Sequence, residues 1–128
     1  MTGVQTCALP ILAGGLARIP YAGTAVAVSG YELKQIEHPL DAFGFVVPEI
    51  ERRRIIAASF SSVKYDGRAP GDHVLVRIFL GGAMHPEVAA ADDASMLAAA
   101  RAEMKELLGI TAPPVLTRVG RWPESMPQ

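Results

Sequence analysis

Three histidines, one cysteine, a few turn carboxylates and a run of arginines are the groups in this 128-residue chain with chemistry to offer. His38, His73 and His85 do not fall at metal-ligand spacing, and His38 and His85 each precede a proline, which places them in turns. They read as loop residues rather than ligands. Asp41 and Glu49 are an imaginable acid pair, but nothing in the pattern supplies a partner or a pocket, so they read as solvated carboxylates. Arg52-Arg53-Arg54 reads as a solvated hairpin tip, not an anion site. No H-E-x-x-H or G-x-S-x-G occurs, nor any G-x-G-x-x-G after a strand or Walker loop. Gly14-Gly15 and Gly81-Gly82 are too short to cradle a pyrophosphate. On residues alone the chain holds no complete catalytic set.

Around these groups the sequence predicts an α+β fold in the order β-β-β-β-α-β, with a mostly antiparallel sheet and one main helix. Residues 24–29 are β-branched and small and predict a strand. Residues 43–47 and 54–61 predict a hairpin joined by a polar turn. Residues 73–80 give the clearest strand: Val74, Val76, Ile78 and Leu80 share one face. Leu75 and Phe79 make the opposite face apolar around Arg77, which predicts a central strand covered on much of both faces. Asp92 or Asp93 caps a helix, and Gly109 ends it. Leu97, Ala100, Met104, Leu107 and Leu108 form its buried stripe, with Glu103, Lys105 and Glu106 outside. Residues 115–119 predict the last strand, and residues 13–20 a small-residue connector.

Composition bounds the rest. Half the residues are hydrophobic and the formal charge is −1, as in one globular domain and unlike a nucleic-acid-binding surface. A single cysteine, Cys7, excludes an intramolecular disulfide. No stretch approaches the ~20 apolar residues of a membrane helix. Residues 1–11 lack the basic start and apolar run of a signal peptide and read as a non-native or disordered leader, so a cytoplasmic location is expected.

Several stretches then combine. Ile19-Pro20-Tyr21-Ala22-Gly23 precedes the first strand, and His38-Pro39-Leu40-Asp41-Ala42-Phe43-Gly44-Phe45-Val46-Val47-Pro48 leads into the hairpin. Ser59-Phe60-Ser61-Ser62, Arg68-Ala69-Pro70-Gly71, Gly81-Gly82-Ala83 and Glu106-Leu107-Leu108-Gly109-Ile110 follow in order. Arg121-Trp122-Pro123 and Met126-Pro127-Gln128 close the series. In this order and spacing the chain resembles the oxygen-dependent, FAD-containing protoporphyrinogen oxidases of haem synthesis, within the flavin amine oxidases, across residues 12–128.

The resemblance implies a partial substrate-binding domain over residues 12–128, the FAD pyrophosphate motif lying elsewhere in a larger protein. It implies oxidation of protoporphyrinogen IX, or of coproporphyrinogen III, to the porphyrin with FAD as cofactor and oxygen as acceptor. It implies that Phe43 stacks on a pyrrole ring, that Val28 stands near the pocket wall and that Trp122 lies near the flavin. Ala42 departs from the family's usual glycine. Without the resemblance Phe43 is an ordinary core aromatic and Trp122 a strand-end cap. The full-length protein is expected to be homodimeric or peripheral to a membrane. This fragment alone is expected to be inactive. The rivals are a small non-catalytic binding or assembly module and a fragment of another flavin amine oxidase.

Overall fold

The computed structural model describes residues 3–128. The elements run α1 (Gly3–Leu16), β1 (Tyr21–Glu32), β2 (Gly44–Val46), β3 (Ile55–Phe60), α2 (Ser61–Lys64), β4 (His73–Gly81), α3 (Pro86–Ala90), α4 (Asp93–Leu108) and β5 (Leu116–Pro127). The five strands form one sheet in the order β2-β3-β4-β1-β5, and every pair is antiparallel. This is the α+β class expected from the pattern.

The long central strand β4 organises the molecule. Val74, Val76, Ile78 and Leu80 alternate inward and are almost fully buried. The β1 residues opposite them, Ala25, Ala27, Ser29 and Tyr31, share that face. Helix α4 covers it with Met96, Ala99, Ala100 and Met104. Burial pushes the Tyr31 phenol above its ordinary range, while a hydrogen bond with Ser29 acts the other way.

The start of α4 follows the predicted cap. Asp92 takes the N-cap position and accepts from the Ser95 backbone N–H at 2.9 Å, and Ser95 Oγ donates to its other oxygen at 2.7 Å. These bonds hold the Asp92 carboxyl below its ordinary value. The ionised form is therefore favoured on folding. Its stabilisation is present above the ordinary aspartate value of about 3.9 and lost as pH falls through the lower folded value. Asp92→Ala should lower the thermal midpoint at pH 7, and the gap from the parent should close as pH falls below about 4. Paired melts between pH 7 and 2 check this; a gap that persists at the acid end contradicts it. Gly109 ends the helix in the left-handed conformation, φ 67°.

Several expectations are revised. Residues 13–16 are helical, as the end of α1, rather than part of a connector. Good helix formers on both sides carry the helix through Gly14-Gly15. The reading of residues 1–11 as a leader starts on residues 1–2, which lie outside the described residues. The buried face of α4 is rotated from the predicted stripe. Met96, Ala99 and Glu103 point inward, while Leu97, Leu107 and Leu108 are only half-buried. Glu103 is drawn in because Arg53 Nη1 donates to it at 3.1 Å and the Arg54 backbone N–H at 3.2 Å. Arg53 at the hairpin tip is thus a tie to α4, not a solvated charge. Finally, β1 and β5 are each twelve residues long. β5 tolerates Pro123 and Pro127 because it is an edge strand, with the register against β1 shifting between Ala22 and Thr24.

Candidate functional site

Among the described residues no helix residue lines the hollow on the opposite face of the sheet; Val26 is buried there, but Val28, Leu75 and Phe79 are only half-buried, less cover than the expected burial of much of both faces of β4. Register fixes which side chains stand on that opposite face. One cross-strand row runs Arg118 (β5), Val28 (β1), Arg77 (β4), Ser59 (β3) and Gly44 (β2). The next runs Gly120, Val26, Phe79, Ala57 and Val46. Trp122 faces Thr24 one row further. Together Trp122, Val26, Phe79, Ile56 and Met126 line an apolar hollow of about 440 Å³ with Arg77 at its edge.

Trp122 is shaped by its neighbours. The indole lies over Gly120, where an added Cβ would stand 2.8 Å from the ring. Its carbonyl accepts from Ser125 Oγ at 2.9 Å, beside Glu124, whose φ is 46°. The adjacent Arg121 points to the helical side, where Nη2 donates to the Ala91 carbonyl at 2.6 Å and Nη1 to Asp93. Opposed directions of Arg121 and Trp122 follow from strand alternation. The indole remains 47% exposed.

Phe43 stands at the far edge, immediately before β2. It is held by its backbone: its carbonyl accepts from the Phe60 N–H at 3.0 Å. The approach to it is an unusual turn. Buried Leu40 has φ 51°, and its N–H donates to His38 Nδ1 at 3.0 Å. His38 is therefore a turn residue, as the sequence predicted. Phe43 is 64% exposed, so it is not an ordinary core aromatic.

The structure thus brings Val28 into the same cross-strand row as Gly44, next to Phe43. Trp122 lies four residues along β1 from Val28, on the same face. Phe43, just before β2, and Trp122, on β5, stand at opposite edges of the sheet; with Gly44 on the open face, alternation puts Phe43 in phase with Phe45 rather than with Val28 and Trp122. Sequence reasoning did not place Arg77 and Arg118 on the same face as Val28. The signal for Arg77 was present: a lone cation between Leu75 and Phe79 on an apolar strand face. Arg118 was hidden because only the register of β5 shows its side. Among the described residues no group of His, Cys, Asp and Glu could hold a metal ion, and no helix is long and apolar enough to cross a membrane.

Known proteins are similar to this chain in sequence and in fold. Residues 12–128 match the family model described as flavin containing amine oxidoreductase. A coproporphyrinogen III oxidase of Propionibacterium freudenreichii is 32% identical over 94% of this chain and 22% of its own length. The mitochondrial protoporphyrinogen oxidase of Nicotiana tabacum is 26% identical over 92% of this chain and 24% of its own. The crystal structure of a putative protoporphyrinogen oxidase from Exiguobacterium sp. 255-15 superimposes with a TM-score of 0.81. It covers 89% of this chain and 25% of that one, at 23% identity, and shows the fold. The chain spans about a quarter of the length of these relatives.

Proposed function

The chain belongs to the family of flavin-containing amine oxidoreductases, and from that premise we propose that it is the substrate-binding part of an FAD-dependent porphyrinogen oxidase. The substrate is protoporphyrinogen IX or coproporphyrinogen III, with oxygen as the final acceptor. Residues 12–128 form the partial substrate domain. The observation that carries the reading is the apolar hollow on the sheet face away from α4, walled by Val26, Phe79, Met126 and the half-exposed Trp122. A porphyrinogen is a large apolar macrocycle. A broad hydrophobic surface with few polar groups suits it.

The residues here fit a flavin ring and not the whole cofactor. The exposed indole of Trp122, seated over Gly120, offers an apolar wall to a ring system. No glycine-rich turn for a pyrophosphate occurs in the sequence. When bound, FAD accepts the electron pair that leaves the substrate. The chain's own side chains supply position. Phe43 stacks on a pyrrole ring from one edge, Val28 forms the wall between, and the apolar hollow keeps water from the reacting carbon.

The longer coding sequence that contains this chain, expressed and purified, tests the proposal. The product is expected to carry FAD and to turn either porphyrinogen into a fluorescent porphyrin in air. Phe43→Ala in that protein should raise KM about tenfold, the loss of one aromatic contact worth about 1.4 kcal/mol. A longer product that binds no flavin, or leaves both porphyrinogens unchanged, overturns the reading.

A further inference from the structure

The row through Val28 contains two arginines that the porphyrinogen reading does not use. Arg118 on β5 and Arg77 on β4 pair with the two sides of Val28. Two strand spacings separate their backbones, about 10 Å. Both side chains are exposed. Neither makes an ion pair among the described residues. Arg118 Nη1 donates to its neighbour's carbonyl, Thr117, at 2.9 Å. The Arg77 guanidinium lies 5.3 Å from the centre of the Phe79 ring. Their row holds no carboxylate, and Glu32, further along the same face of β1, is taken by Lys34 at 3.0 Å.

The face is therefore amphiphilic along the strands. One end, with Trp122, Val26 and Phe79, is apolar. The next row presents two separated guanidiniums, neither of them ion-paired among the described residues. A ligand that fits both is broad, apolar and carries two carboxylates on one edge.

We propose that Arg77 and Arg118 form a carboxylate-binding row on the open face of the sheet and hold the propionate arms of the porphyrinogen. This rests on the reading that the face receives that substrate. The two guanidiniums set the edge of the macrocycle that lies over Val28 and leave its apolar remainder toward Trp122. Guanidinium is suited to this because its planar fork meets a carboxylate with paired hydrogen bonds.

Trp122 is the chain's single tryptophan and stands on the same face, so its emission reports occupancy. The 128-residue chain is titrated with coproporphyrin III, the stable oxidised form, and with its tetramethyl ester. Trp122 quenching is followed for the parent, R77Q, R118Q and the double variant, with circular dichroism confirming the sheet. The acid should bind about tenfold more weakly to each single variant and about a hundredfold more weakly to the double, from the net value of charged hydrogen bonds. Added salt should weaken the parent's binding to the acid. The ester should bind parent and double variant alike. If the acid quenches Trp122 equally in parent and double variant, the arginine row is overturned and the porphyrinogen reading stands. If neither acid nor ester quenches Trp122 in the parent, the arginine row is overturned, and the porphyrinogen reading is decided separately by turnover in the longer protein.

Discussion

Gly44→Ala is expected to detach β2 from the sheet and release Phe43. Gly44 has φ 143°, a region that residues with a Cβ rarely adopt. An added Cβ would stand 2.2 Å from the Ala58 carbonyl oxygen and 2.8 Å from the Ser59 Cα. Both are backbone atoms of β3, so no side-chain rotation relieves the contact. The conformational strain alone is about 1–3 kcal/mol, and the steric clash adds to it. β2 has only three residues, paired at Gly44, Phe45 and Val46. Moving apart is the inexpensive response, and it would remove the Phe60 N–H bond to the Phe43 carbonyl. Two readouts should move together. The thermal midpoint should fall by several degrees, at a few degrees per kcal/mol. Amide exchange of Phe60 should accelerate, because its acceptor is gone. A variant that melts like the parent with Phe60 still protected would contradict the close approach. The contrast is Gly67→Ala: Gly67 has φ 71° but nothing lies within 4 Å, so only the conformational strain should appear.

That glycine also marks what the sequence could and could not reveal. Ala42-Phe43-Gly44 was legible as a motif, yet the reason for the glycine is a carbonyl fourteen residues away, visible only once β2 and β3 are paired. Local signals carried well. The period-two run from Val74 to Leu80 placed the inward face of β4 correctly, and Asp92 and Gly109 marked both ends of α4. Long-range signals did not. Glu103 looks like a surface residue by type, and only Arg53, fifty positions earlier, draws it inward. β5 looks finished before Arg121-Trp122-Pro123, because a proline ordinarily stops a strand; its position at the sheet edge removes that objection. The carboxylate row failed to show for the same reason. Arg77 and Arg118 are forty-one positions apart, and only their shared partner Val28 puts them side by side.

The two faces of β4 give the other large effect. Ile78→Ala should destabilise the chain by about 2–5 kcal/mol, since Ile78 is fully buried between β1, β3 and α4 and the cavity cannot collapse. Leu75→Ala on the same strand should cost about 1 kcal/mol or less, because Leu75 faces the open side and is only half-buried. Chemical denaturation of both variants measures the difference. The sequence alone predicts near-equal costs, because β4 is apolar on both faces. The inequality is thus a direct test of whether this face is bare in the isolated chain. In a longer protein, where a further element or a bound macrocycle covers it, the Leu75→Ala cost should climb toward that of Ile78→Ala. Equal costs in the isolated chain at low concentration would mean that the face is already covered, and the porphyrinogen would need another place to lie. If the costs become equal only as concentration rises, one copy is covering the face of another, as expected of a broad apolar surface without its partner.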